Sequence, residues 1–410
     1  METESELWKG NLDKIYPLID QNELKIYSRL FCRELSAVLS NQISSLPAIL
    51  NPICKVSPSP GYGIAISVGG TNGYVSSFYI SRKGVLKFHN RFLFPLPQNT
   101  TRDKLFHLVT KNALKVLNHP KNFPPIGIGL AYPLKPVLTH KYVDGELMYM
   151  TKGRNIEGLV GKRVGQEYHK FLKKEYGVDT TVSVANDAIC LLLGGDGAEA
   201  AGVVGTGLNF AYWEKTYNIA PLKLKELAGF SQAEVAVNIE SKNFNKIEGT
   251  KLRSIVDKES VDPGYSLAEK EAAGAYLFKI FNAGKKEILG NKFPDLSSTD
   301  QIDEIVTGSY TYPIETNEEL QMKARLFAQR ILERSAQITA IELCGVLMKI
   351  GRTSGVVSIV MEGGIFWKAK NYLSLVNLYI NTILPEVIPS FARLFGSSRR
   401  GIAVLARSVY

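Results

Sequence analysis

Three glycine turns hold the residue types that suit phosphate. GYGIAISVGGTNGYVSSFYI (61–80) and AAGVVGTGLNFAYW (200–213) each run from an apolar β-type stretch through small residues into another β-type stretch. Thr71 and Thr206 stand inside those turns, 135 residues apart, and VVSIVMEGGIFW (356–367) ends a third apolar stretch in a glycine pair. Glycine admits positive φ and lets backbone N–H groups approach a ligand with no Cβ in the way, so a nest of such amides is an anion site. A single turn of this kind reads more simply as a hairpin. Two of them about one domain length apart suggest a duplicated architecture with phosphates held between the halves.

Candidates for proton transfer and hydroxyl recognition are fewer. Asn186-Asp187 follows the apolar strand TTVSVA directly and opens an apolar helix, which puts a carboxylate at a strand end, where a general base belongs. From position alone Asp187 reads equally as the N-cap of helix 188–194. Thr151-Lys152 offers a hydroxyl and a cation after a short strand, or an exposed turn lysine. Glu240 in EVAVNIES and Glu269 in DPGYSLAEKEAAG are single carboxylates, a type most often solvated.

Other chemistries are excluded by what is missing. Cys32, Cys54, Cys190 and Cys344 form no CxxC pair, and the five histidines (His89, His107, His119, His140, His169) show neither HxxxH nor HxH spacing, so no metal knuckle, redox dithiol or histidine-centred hydrolase is signalled. Free thiols suit a reducing cytoplasm. The first twenty residues carry acids and lack the apolar core of a secretory signal, and no later run approaches a membrane span. The 410 residues carry a formal charge of +10, which raises a polyanionic partner, but the bases are scattered and nucleic acid is not expected. From Phe366 onward Lys368, Lys370, Arg393, Arg399, Arg400 and Arg407 face Glu386 alone, an excess that reads as a solvated face.

The elements that must position these residues follow from period and punctuation. Residues 5–50 show helical spacing, broken by Pro47, Pro52, Pro58 and Pro60 before the first sheet. Strand-like runs at 124–134 and 180–193 and helix-like segments at 156–176, 265–283, 317–350 and 371–393 alternate, which is the α/β class with a cleft where strands end in loops.

In order along nearly the whole chain, these motifs resemble those of the hexokinase family of the eukaryotic type, within the actin-like sugar kinase superfamily. SSLPAILNPICKVSPSPGYGIAISVGGTN looks like its Leu-Pro segment and first phosphate motif, IGLAYPLKP its sugar loop, and TKG its Thr-Lys-Gly. VANDA looks like its Val-Asn-Asp-Thr, VVGTGLN its second phosphate motif, VNIE its Asn-x-Glu, DPGYSLAEKEAAGAYL its Pro-Gly…Glu-Lys…Ser-Gly segment and MEGGIF its nucleotide motif.

The resemblance implies a two-domain actin-like (ribonuclease H-like) fold with a ligand cleft, and transfer of the ATP γ-phosphoryl to the 6-hydroxyl of a hexose, glucose first. Asp187 would take the hydroxyl proton, and Thr151, Lys152, Asn186, Asn209, Glu240 and Glu269 would hold the sugar, Lys152 also offsetting phosphoryl charge. Gly69, Gly70, Thr71, Asn72, Gly205, Thr206 and Gly207 would cradle phosphates, and Gly363 and Gly364 would lie beneath the adenosine. A small domain would span 62–183 with the C-terminal helix 401–410 returning to it, and a large one 1–61 with 184–400.

Departures concentrate on the metal–nucleotide side. Ser67 stands where the family has the Asp that holds Mg2+ through water, Tyr74 where it has Arg, Ala131 where it has Ser, and Glu362 and Gly364 where it has Asp and Ser. Two readings of different class follow: a working hexokinase with altered nucleotide handling, and a hexose-binding sensor that has lost efficient phosphoryl transfer. An actin-like ATPase without sugar is the third, and it leaves Thr151-Lys152, Asn186-Asp187 and Glu269 unused.

Overall fold

The computed structural model describes residues 4–69, 72–117, 123–139, 142–150, 155–227, 229–291, 293–312, 316–393 and 397–409, without the side chains of 4–9 and 397. Two sheets organise the chain. The first runs in the order Val182–Asn186, Ile126–Leu130, Gly61–Val68, Asn72–Ile80, Leu86–Pro95, and the second in the order Ile49–Asn51, Glu234–Asn238, Leu208–Lys215, Ala200–Val204, Gly355–Glu362, Val387–Ala392.

The same unit recurs in both. A glycine hairpin pairs antiparallel with a third strand on one side, and on the other its first strand pairs parallel with a later strand, which in turn pairs parallel with one later still. The duplication suggested by the two threonine turns is therefore a duplication of sheet topology. Ile126–Leu130 and Val182–Asn186 are buried at every residue, as parallel strands covered on both faces must be.

Two helices join the sheets. Asp187–Gly194 follows the last strand of the first sheet, and the C-terminal helix Ser397–Arg407 lies across it. Ala65 and Ala185 from the first sheet, Ala201 and Ala211 from the second, and Ile189 and Ile402 from the two helices share one buried cluster. The crossing needs glycine: a Cβ on Gly401 would run into the carbonyl of Cys190, and one on Gly127 would strike the carbonyl of Ile402. On the far side of the second sheet, the long helix Glu318–Lys349 is buried without a break from Arg334 to Leu347 and centres the larger core. Among the described residues no helix is long and apolar enough to cross a membrane.

Several boundaries differ from the sequence reading. The segment 371–393 is not one helix but a helix, Tyr372–Ile383, and the edge strand Val387–Ala392. Pro385, between them, cannot continue a helix, and Val387, Ile388 and Phe391 suit a strand. Segment 156–176 becomes helical only at Val164, because Gly158 and Gly161 take positive φ. Segment 265–283 divides into Glu269–Ala272 and Leu277–Ile288. The C-terminal helix starts at Ser397 rather than 401, and the last strand of the first sheet runs to Asn186.

Gly401→Ala is expected to lower stability by about 1–3 kcal/mol by forcing the two joining helices apart. Urea unfolding measures it, and an unshifted midpoint would show that the crossing has slack.

Candidate active site

The floor of the cleft is a contact between two backbones. Gly205 ends Ala200–Val204 and Gly363 ends Gly355–Glu362, and a Cβ on Gly363, which has φ 119°, would collide with the carbonyl oxygen of Val204. A Cβ on Gly205 would in turn lie 3.1 Å from the Cα of Gly363. The turn closes through Gly205 N–H donating to the Gly207 carbonyl at 3.0 Å. Gly274 N–H donates to the Gly205 carbonyl at 2.7 Å and Ala275 N–H to that of Thr206 at 3.1 Å, which ties the turn to the segment after Glu269. Beside it lies a cavity of about 330 Å3 lined by Gly205, Thr206, Thr299, Asp300, Gly364 and Lys368. Its size and glycine edge suit a nucleotide.

A second, polar cavity of about 50 Å3 opens on the other side of the same turn. Asn186, Asp187, Asn209, Glu240, Lys242 and Glu269 line it, with Gly207 and the 131–133 loop. Asn186, not Asp187, is the N-cap: its Oδ1 accepts from Ala188 N–H at 2.9 Å. Its Nδ2 donates to the Tyr132 carbonyl at 3.2 Å, so Asn186 orders the loop wall while Asp187 starts the helix at the cavity edge.

The remaining groups are fixed by one another. Asn209 Nδ2 donates to Asn238 Oδ1 at 2.7 Å, and Asn238 Nδ2 donates to Glu240 Oε1 at 2.9 Å. Glu240 sits in the left-handed region at φ 54°, between Ile239, whose N–H donates to the Phe210 carbonyl at 3.0 Å, and Ser241, whose N–H donates to Asn209 Oδ1 at 3.3 Å. Leu208 N–H donates to Glu269 Oε1 at 3.1 Å. The turn carrying Glu269 is clamped from behind: buried Lys270 pairs with Asp257 at 2.6 Å, and buried Glu271 takes Arg334 Nε at 3.1 Å and Thr250 Oγ1 at 2.7 Å.

Against known proteins, the two hexokinase family models match residues 17–196 and, for the second, 199–284 and 285–406. The chain belongs to the hexokinase family. Hexokinase-1 of Nicotiana tabacum is 26% identical over 403 residues, covering 85% of this chain and 79% of that one. Hexokinase-1 of Schizosaccharomyces pombe is 24% identical over 369 residues, 80% of this chain and 75% of that one. The Schistosoma mansoni hexokinase solved with glucose superposes with a TM-score of 0.81 over 99% of this chain and 100% of that one, at 18% identity, a likeness of fold. The fold is thus the two-domain, actin-like sugar kinase fold.

Within this hexokinase the expected residues are distributed over three cavities, the first hairpin and the positions outside the described residues. Asn186, Asp187, Asn209, Glu240 and Glu269 share the polar cavity; Gly205, Thr206 and Gly364 line the larger one, and Gly207 the polar one. Gly363 lines a third cavity with Tyr74 and Glu362. Gly69 and Asn72 close the opposite hairpin, Gly69 N–H donating to the Asn72 carbonyl at 3.1 Å, and line none of the three. Gly70, Thr71, Thr151 and Lys152 lie outside the described residues. Ser67 faces Tyr74 across the hairpin, where burial pushes the phenol up to about 12.

Two residues were missed. Lys242 reaches into the polar cavity, 3.6 Å from Glu240 Oε2, and the charges of Glu240 and Glu269 outweigh its burial and hold its ammonium above the usual lysine range. Two residues after a carboxylate in a polar loop, it carried no periodic signal. Glu342, on the long helix, is fully buried, and neither oxygen has a well-formed hydrogen bond among the described residues. Burial raises its carboxyl well above the usual range, the Ser241 hydroxyl opposing and the charge of Glu269 adding to the rise. An acid among apolar residues of a helical run could have been noticed; its depth could not.

A carboxyl raised by folding keeps its proton in the native state, so its contribution is intact below the ordinary carboxylate range and is lost as pH rises. Glu342→Gln should therefore gain stability over the parent from about pH 5 upward, by at most about 1.4 kcal/mol per pH unit. Thermal unfolding at several pH values tests this; a gain independent of pH would mean that Glu342 is charged at neutrality.

Proposed function

We propose that the chain transfers the γ-phosphoryl group of ATP to the 6-hydroxyl of a hexose, with glucose the first substrate to test. One observation carries this: the Gly205–Gly207 turn lines a nucleotide-sized cavity with one edge and a carboxylate- and amide-rich cavity with the other. Family membership fits the same reading. A sugar presents hydroxyls that donate and accept, so Asn209, Glu240 and Glu269 are suited to receive them, with Thr151 and Lys152 completing the set.

In this mechanism Asp187 accepts the proton of the 6-hydroxyl as its oxygen attacks phosphorus. Position favours it, because the helix that Asp187 opens is capped by Asn186 and leaves the aspartate at the wall of the sugar cavity. Gly205, Thr206 and Gly207, with Gly69, Gly70, Thr71 and Asn72, would cradle the phosphates, and Gly363 and Gly364 would make room for the adenosine. Closure of the lobes, 62–183 with the C-terminal helix against 1–61 with 184–400, would exclude water. Reduced thiols at all four cysteines suit a cytoplasmic protein.

Mg2+ uses few protein ligands when phosphates supply the rest, so it would be borne mainly by the nucleotide. When bound it supplies neutralisation of phosphate charge. Ser67, at the position where the family has the metal-holding Asp, would stand nearest its water shell and brings no charge to it.

A coupled assay with glucose, ATP and Mg2+ should show turnover that falls by about 10²–10⁴-fold in Asp187→Ala while glucose binding by calorimetry persists. Glucose binding with no turnover above that variant would favour the hexose-sensor reading. Ser67→Asp should raise activity or Mg2+ affinity; an unchanged Mg2+ dependence would show that the ion is anchored elsewhere.

A further inference from the structure

Glu342 has no part in the phosphoryl-transfer scheme, yet it stands behind the loop that walls the sugar cavity. The long helix Glu318–Lys349 carries it to full burial, and both carboxyl oxygens are shut off from solvent with no hydrogen-bond partner among the described residues. The Ser241 hydroxyl, close enough to act on that carboxyl, is buried and unpartnered in the same way. Ser241 lies between Glu240 and Lys242, which both line the cavity, and its N–H donates to Asn209 Oδ1 at 3.3 Å. Two unmet polar groups thus face each other behind residues suited to hexose.

A charge on Glu342 would find no balance. From the segment Glu269–Ala272, Glu269 repels it, while Lys270 is bound to Asp257 and Glu271 to Arg334 of the long helix itself. The Lys242 ammonium is drawn to Glu240, 3.6 Å away, and to Glu269. From Tyr372–Ile383, the Tyr372 hydroxyl is shared with Ser335 Oγ at 2.8 Å and Thr339 Oγ1 at 2.9 Å, and from Gln21–Leu39 the Cys32 thiol lies toward Lys349 and Glu214. Among the described residues the carboxyl therefore has a carboxylate for a neighbour and no cation. Kept neutral, it carries a donor and an acceptor, and a hydroxyl can answer either. Hexose covering Glu240 and Glu269 would exclude water from them and make a charge on Glu342 costlier still, so by linkage it binds better to the chain that holds this proton.

We propose that Glu342 is a positioning residue of the sugar cavity: as a neutral acid it supports Ser241, and through it the Glu240–Lys242 loop, and hexose binds most tightly while the proton is in place. The role in hexose binding rests on the kinase reading. The proton itself does not.

Infrared spectra of the full chain without hexose test the proton. At about pH 7 the parent should show a protonated-carboxyl band that Glu342→Gln loses, and the lack of that band in the parent would overturn the proposal. Calorimetry with glucose tests the role. From about pH 6 to about pH 9 the parent's affinity should fall, by at most about tenfold per pH unit, while that of Glu342→Gln, which keeps a donor and an acceptor and cannot ionise, stays level. Glu342→Leu, which has neither and which thermal melts should show to be folded, should bind glucose about tenfold more weakly with its KM for ATP unchanged. If Glu342→Gln follows the parent's pH curve, or Glu342→Leu binds as tightly as the parent, the role alone is overturned; a parent that binds no glucose overturns it together with the hexose reading.

Discussion

The structure depends on the closeness of two strand ends. Where Ala200–Val204 and Gly355–Glu362 finish, their backbones touch at Gly205 and Gly363, with no room for a methyl group on Gly363. Parallel strands bring their ends to one edge of a sheet, but side chains normally hold the following turns apart. Removing both Cβ atoms lets two turns share one floor. The polar cavity and the nucleotide-sized cavity then lie on either side of a three-residue turn, and the distance a phosphoryl group would travel is set by backbone and not by mobile side chains.

Around that floor, precision is built by groups that never reach the cavity. Glu269 is held by its neighbours: Lys270 and Glu271 are buried in ion pairs with Asp257 and Arg334, and Arg334 also donates to the carbonyls of Pro17 and Glu248 at 2.8 Å. Burying such charges is costly unless every partner is in place, so the clamp either forms completely or not at all. The left-handed Glu240 is held by Asn238, which is bound in turn by Asn209 of the cavity wall.

Much of this was legible because it rests on local chemistry. Glycine turns, the carboxylate after TTVSVA and the alternation of strand and helix announce themselves in short windows, and the match of motif order supplied the rest. What stayed hidden was tertiary. Pro385 was visible, yet the apolar run on both sides kept helical spacing, and only pairing with Gly355–Glu362 makes 387–392 a strand. Lys242 and Glu342 lie far apart in sequence, and each is defined by what it faces.

The C-terminal helix has a consequence for how the chain is made. The first sheet is complete in sequence at Asn186, but the element that covers the face at Gly127 and Gly129 begins at Ser397. On the ribosome, that face must wait for the whole second sheet to be synthesised before its cover emerges. Until then, a surface of glycine and small apolar residues stays wet and adhesive, so the first sheet is covered only once every strand of the second has been made.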